Sequence, residues 1–162
     1  MSERDAYLYY EAGQAVAAAP LGLTIRHVSA NPALTPSDIV LPRNHPKARM
    51  ILWLTGMAAE KKGVGRSDPL RRTRNRQRLR GQIDALIAEL SGSPARRQAE
   101  ARSLLNQSQD RANAICSNLY EGIECLVARL RANPTVTGQE VAAIVAAVKA
   151  KKTPERTLSE NP

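Results

Sequence analysis

The sequence predicts a mainly α domain of the α+β kind: a helical bundle with a small β-hairpin or sheet after its first helix. Three observations predict it. The chain has 162 residues, enough for one domain with a real core. Apolar residues make up 43% of it and Phe is absent, so Leu, Ile, Val and Ala must fill the core, which suits closely packed helices. Long stretches also repeat apolar residues at spacings of three and four. Residues 1–148 form the domain in this reading, and residues 149–162, charged or proline-containing, form an unstructured tail.

Residues 3 to 19 give the first helix, closed by Pro20 and Gly22. Leu23 to Ser29 then reads as a short strand, and Ile39-Val40-Leu41 pairs with it across the proline-rich turn at Asn31 to Pro36. A helix over 47 to 62 is apolar on almost every face from Met50 to Ala59, the mark of burial against several neighbours. The next helix begins near Pro69, a favourable early position, and runs to about Leu90, where Ser91-Gly92-Ser93-Pro94 breaks it. From 95 to 132 one long helix is expected. Its stripe is Ala112, Ile115, Cys116, Leu119, Ile123, Leu126, Val127 and Leu130. After Pro134 a last helix starts at Thr137, which makes a capping box with Glu140, and buries Val141, Ile144, Val145 and Val148.

The net charge of +9 favours anionic partners or a plainly basic protein. Much of it lies in Arg66, Arg71, Arg72, Arg74, Arg76, Arg78 and Arg80. On a helix these point in nearly all directions, and no apolar stripe forms until Leu79, Ile83, Leu86 and Ile87, so this segment faces solvent or a partner. No aromatic residue interleaves the arginines to stack a base, and no zinc-finger or RNA-binding pattern occurs; a solvated face is preferred to a nucleic-acid interface. No segment is apolar for the length of a membrane span and none resembles a secretory signal, so no membrane partner and a cytoplasmic location are expected. Cys116 and Cys125 fall on one helix about 13 Å apart, too far for a disulfide. Two free thiols in a reducing compartment are expected.

One stretch of the first helix carries chemistry: Tyr10-Glu11-Ala12-Gly13-Gln14-Ala15-Val16. With His at positions 10 and 14 it would be H-E-x-x-H, in which two imidazoles on one helix face hold zinc and Glu activates a water. Here that face offers a phenol, which must lose a proton of pKa about 10 to ligate, and a neutral amide. Glu11 then has no metal-bound water to deprotonate.

Three more segments follow in order: Leu52-Trp53-Leu54-Thr55-Gly56-Met57-Ala58-Ala59-Glu60, Ser67-Asp68-Pro69-Leu70-Arg71-Arg72-Thr73, and Leu130-Arg131-Ala132-Asn133-Pro134-Thr135-Val136-Thr137-Gly138-Gln139-Glu140-Val141. With the first, they resemble the peptidase domain of the FtsH-type ATP-dependent zinc metallopeptidases, over residues 6 to 148. That family shows a His-Glu-Ala-Gly-His-Ala helix, a Leu-Ala-Gly-x-Ala-Ala-Glu helix, an Asp-Leu-x-x-Ala-Thr segment and a final Leu-x-Gly-x-Glu-[Val/Ile] helix. The resemblance implies the family's fold, its small sheet, and a third zinc ligand at Asp68; a competing alignment puts that ligand near Ser108 to Asp110. It also implies a remnant pocket at Tyr10, Glu11, Gln14 and Asp68, with Glu11 as a remnant general base and no metal held. Arg71 and Arg72, three and four residues beyond Asp68, are placed to pair with its carboxylate and oppose a metal further. The family's ATPase module carries a G-x-x-x-x-G-K-[ST] loop, absent here, so any unfolding engine would be a separate protein.

His27 and His45 are the only imidazoles, and a rebuilt zinc site would need both together with Glu11 or Asp68. Neither has helical register with Glu11. The expectation is therefore a pseudo-peptidase without cofactor that binds a protein or peptide, a homo-oligomer being compatible with it. The alternatives are a stand-alone metallopeptidase with atypical ligands, which would need zinc, and a basic protein associated with nucleic acid.

Overall fold

The computed structural model describes residues 3–31, 33, 35–41, 45–66 and 68–152. Among them are six helices and a three-stranded antiparallel sheet, the mainly α, α+β class expected. α1 (Glu3–Ala18) lies at the centre, with Leu8, Ala12, Ala15 and Val16 fully enclosed. Pro20 ends it, and Gly22 turns the chain at φ +67 into β1 (Thr24–Ser29).

β1 pairs with β2 (Asp38–Val40) in the expected hairpin, Thr24 opposite Val40 and Ile25 opposite Ile39, with an irregularity between Ile25 and His27. Its other edge takes β3 (Thr135–Thr137), Val28 opposite Val136. β3 was not expected. Thr-Val-Thr has the β-branched alternation of a strand, but three residues before a helix cap are too few to stand out from a loop.

α2 (Pro46–Val64) opens with proline in its first turn and ends at Gly65, left-handed at φ +75. Met50, Ile51, Leu52 and Leu54 are buried, as an all-round apolar helix requires. Where α1 crosses α2 the backbones nearly touch: a Cβ on Gly13 would sit 2.6 Å from Ala59 Cβ, and one on Gly56 would sit 2.9 Å from the Tyr10 ring. Gly13 and Gly56, both part of the quoted motif segments, are thus required by packing.

α3 (Pro69–Glu89) buries only Asn75 and Leu79, with Ile83 and Leu86 packed partly on the core. The arginines leave the rest of its surface wet. The expected helix over 95 to 132 is two helices, α4 (Pro94–Asn118) and α5 (Tyr120–Ala132), broken at Leu119 with φ −114 and ψ 19. A straight helix of that length would span about 57 Å, while a domain this size has a radius of gyration of about 15 Å. The stripe can stay on one core only by bending, and every residue named in it is buried. Cys116 is accordingly buried on α4 and Cys125 exposed on α5, both as free thiols.

α6 (Gly138–Lys152) is capped as expected. The Thr137 N–H donates to Glu140 Oε2 at 2.9 Å, and the Glu140 N–H donates to Thr137 Oγ1 at 3.3 Å. A Cβ on Gly138 would collide with the carbonyl oxygen of Ile25, so only glycine lets α6 start against β1. The helix runs through Lys152, so residues 149–152, assigned to the tail, are helical, because Lys151 pairs with Glu121 on α5 and Lys152 donates to the Asn118 carbonyl. Residues 153–162 lie outside the described residues. None of the described helices is long and apolar enough to cross a membrane.

Candidate functional site around Arg71

α1 carries Tyr7, Tyr10, Glu11 and Gln14 at spacings of three and four, so they share one side of the helix. Tyr10 is 4% exposed, and its hydroxyl donates to Asn75 Oδ1 on α3 at 3.0 Å. Burial pushes its phenol up to about 12, so it keeps its proton at neutral pH. Glu11, beside it, is half-buried. Desolvation holds its carboxyl above the usual carboxylate range, while hydrogen bonds with Ser37 and Tyr7 and the charges of Arg71 and Arg78 act in the opposite direction. Tyr7 is raised in turn, by burial first and the Glu11 charge second. Gln14 is half-buried on the same side.

The second group comes from the end of α2 and the start of α3. Glu60 is 1% exposed and accepts two strong bonds at Oε1: from Arg71 Nη1 at 2.7 Å and from the Asp68 N–H at 2.7 Å. Burial raises its carboxyl, and these two partners draw it back. Asp68 caps α3, its Oδ1 accepting the Arg71 N–H at 2.6 Å. The expected pairing of Arg71 and Arg72 with Asp68 is therefore corrected. Only the backbone of Arg71 meets that carboxylate, because the Arg71 guanidinium is drawn to the more deeply buried Glu60; Arg72 points outward, exposed.

Arg71 joins the two groups. Its guanidinium carbon lies 5.4 Å from the centre of the Tyr10 ring and 5.6 Å from that of Tyr7, within cation–π range of both. Three of the sequence segments thus meet at one side chain: Tyr10 and Glu11 from α1, Glu60 from α2, and Asp68 and Arg71 from the start of α3.

The donor set does not suit zinc. Tyr10 retains a proton and uses its oxygen toward Asn75, Asp68 accepts a helix N–H, and the charge facing the tyrosines and Glu11 is already a cation. Among the described residues no group of three or more His, Cys, Asp and Glu side chains is placed to hold a metal. His27 Nε2 lies 2.9 Å from the Pro36 carbonyl in the hairpin, and His45 stands exposed before α2. In the competing stretch Ser108 to Asp110, Ser108 donates to the Leu104 carbonyl inside α4 and Asp110 is exposed. What the cluster offers is a fixed cation, a protonated phenol pair, a carboxyl raised by burial, and the amide nitrogen of Asn75, which is buried with no partner among the described residues.

Glu60, Asn75, Tyr7 and Ser37 were not singled out from the sequence. Glu60 gave a signal, the lone carboxylate of its helix at the end of the apolar run from Met50 to Ala59. Asn75 gave another, four residues before Leu79 and so in line with the α3 stripe. Tyr7, one turn before Tyr10, was readable in the same way, whereas Ser37 sits in a loop with no pattern.

No protein-family model matches this sequence, and no curated protein is significantly similar to it.

Of the arginines on α3, Arg72, Arg74, Arg76, Arg78 and Arg80 are exposed. Arg78 lies 5.9 Å over the Trp53 ring, the one aromatic contact among these five arginines in the described residues.

Proposed function

We propose that this chain is a non-catalytic relative of the FtsH-type zinc metallopeptidase domain, working as a cytoplasmic protein- or peptide-binding module. The observation that carries the reading is the meeting of Tyr10, Glu11, Glu60 and Asp68 around Arg71, since these residues come from three of the four segments of the resemblance. In such a relative a hydrolytic site has been converted to a structural one. A guanidinium stands among side chains that would otherwise surround a metal, and Glu11 is left with no activated water to serve.

The side chains favour this over hydrolysis on electrostatic grounds. A zinc ion beside Arg71 would face a second positive charge at short range in a partly buried site, an unfavourable arrangement that only additional anionic ligands could offset. The two free thiols agree with a reducing compartment.

The test pairs two assays on the full chain. Incubation with an unfolded protein such as casein, with and without added zinc, should yield no cleavage, while fluorescence anisotropy over a peptide library should find binders. Zinc-dependent cleavage lost in Glu11→Gln would replace this reading with the metallopeptidase one. The exposed arginines of α3 favour a second reading, nucleic-acid association, for which salt-sensitive binding through those side chains is the discriminating property.

A further inference from the structure

On the other side of α2 from Tyr10 lies an open cleft of about 850 Å³, walled by α2, the turn after it, the first turns of α3, and α4. The volume falls within the ordinary range of small-molecule sites. Its rim carries Lys61, Lys62, Arg66 and Arg72, and among the described residues its lining includes no carboxylate. Its apolar wall is Leu54, Met57, Ala58 and Cys116. Gln109, Asn113 and Ser117, successive on one side of α4, add neutral hydrogen-bonding groups.

Two local features hold the cations there. Gly65, left-handed at φ +75, reverses the chain at the end of α2 and brings Arg66 round to the same opening as Lys61. Neighbouring arginines then divide: Arg71 turns to the buried Glu60, and Arg72 lines the cleft. Lys62 rests 4.0 Å over the Tyr120 ring, while Lys61, Arg66 and Arg72 have no carboxylate partner among the described residues. Like charges gathered at one concavity repel one another, and an anion between them relieves that repulsion.

We propose that this cleft binds a phosphate-bearing small molecule of about mononucleotide size, its phosphates held by Lys61, Arg66 and Arg72 and its ring laid on the apolar wall. Guanidinium forks match the oxygens of a phosphate in two-point contacts, and the lysines add point charge. The apolar wall selects an organic ester over bare phosphate. A nucleic-acid strand is disfavoured because its backbone would leave that wall uncovered, and its charge would be met as well by the arginines outside the cleft.

The test is a nitrogen-15 NMR titration of the full chain with ADP and, separately, with pyrophosphate at about 0.1 M salt, where exposed long-range charge is largely screened. Both should shift the amides of Lys61 to Arg66 and of Gln109 to Ser117, with ADP binding more tightly than pyrophosphate. The exposed pair Lys61→Ala with Arg72→Ala should weaken ADP at least tenfold while the rest of the spectrum stays that of the folded protein. The proposal is overturned if neither ligand moves these amides, if the shifts scatter over basic residues all round the molecule, or if the double variant binds equally well. It is also overturned if an acidic peptide or a single-stranded oligonucleotide moves them where ADP does not. Because the cleft lies apart from the Arg71 cluster, none of these outcomes depends on the pseudo-peptidase reading.

Discussion

The Arg71 guanidinium sits 2.7 Å from a Glu60 carboxylate that is 1% exposed, and that pair ties the end of α2 to the start of α3. Removing one member leaves the other charge in a buried place. Glu60→Ala should cost about 3–5 kcal/mol, read as a lowered denaturation midpoint with unchanged slope. The double variant Glu60→Leu with Arg71→Leu should cost much less than the sum of its single changes. Additive losses would mean that the two side chains are energetically independent.

Glu11 supplies a prediction in pH. Its folded carboxyl titrates above its ordinary value of 4.5, so the folded chain binds this proton more tightly than the unfolded chain does. The stability tied to that proton is fully present below the unfolded value and is lost as pH rises through the folded one. Glu11→Gln, which cannot ionise, should therefore be more stable than the parent at pH 7, with the difference shrinking toward pH 4. Urea denaturation at the two pH values measures it, and a variant less stable at pH 7 would show that the ionised form is the favoured one.

Tyr10→Phe removes the hydroxyl that Asn75 accepts. Asn75 is 1% exposed and already has an unpartnered nitrogen, so the change leaves both ends of its amide unsatisfied. A loss of about 1–3 kcal/mol is expected. In the parent, ultraviolet titration should find several phenols that ionise late, Tyr10 and Tyr120 near pH 12, and Tyr10→Phe should remove one of them. Equal stability of the two proteins would mean that water reaches Asn75.

Arg74, Arg76 and Arg80 are exposed and make no ion pair among the described residues. Changing all three to Ser should alter stability by no more than about 0.5 kcal/mol per site, and the protein should hold nonspecific DNA or RNA weakly throughout. Sub-micromolar binding at physiological salt that vanishes in the triple variant would instead establish the nucleic-acid reading.

Helix periodicity and punctuation made much of this fold legible. Pro46, Pro69 and Pro94 each open a helix, Thr137 and Glu140 cap another, and the hairpin pairs two strands consecutive along the chain. Long-range geometry was less visible. The break at Leu119 preserves the apolar spacing on both sides, so nothing local marks it, and β3 exists only because β1 has an edge for it. At the candidate site the sequence pointed to Tyr10, Glu11 and Asp68, but it directed Arg71 to the nearer carboxylate. Burial decides that competition: Glu60 is removed from water and Asp68 has a helix terminus to cap. Such a preference depends on three-dimensional depth, which spacing along a chain does not encode.

The central claim, that the Arg71 cluster stands in place of a zinc site, is tested most directly by metal content. Elemental analysis of the full chain, purified without chelator, loaded with excess zinc and then dialysed against metal-free buffer, should give far less than one zinc per chain. One equivalent that survives dialysis and is lost in Asp68→Ala would contradict the account.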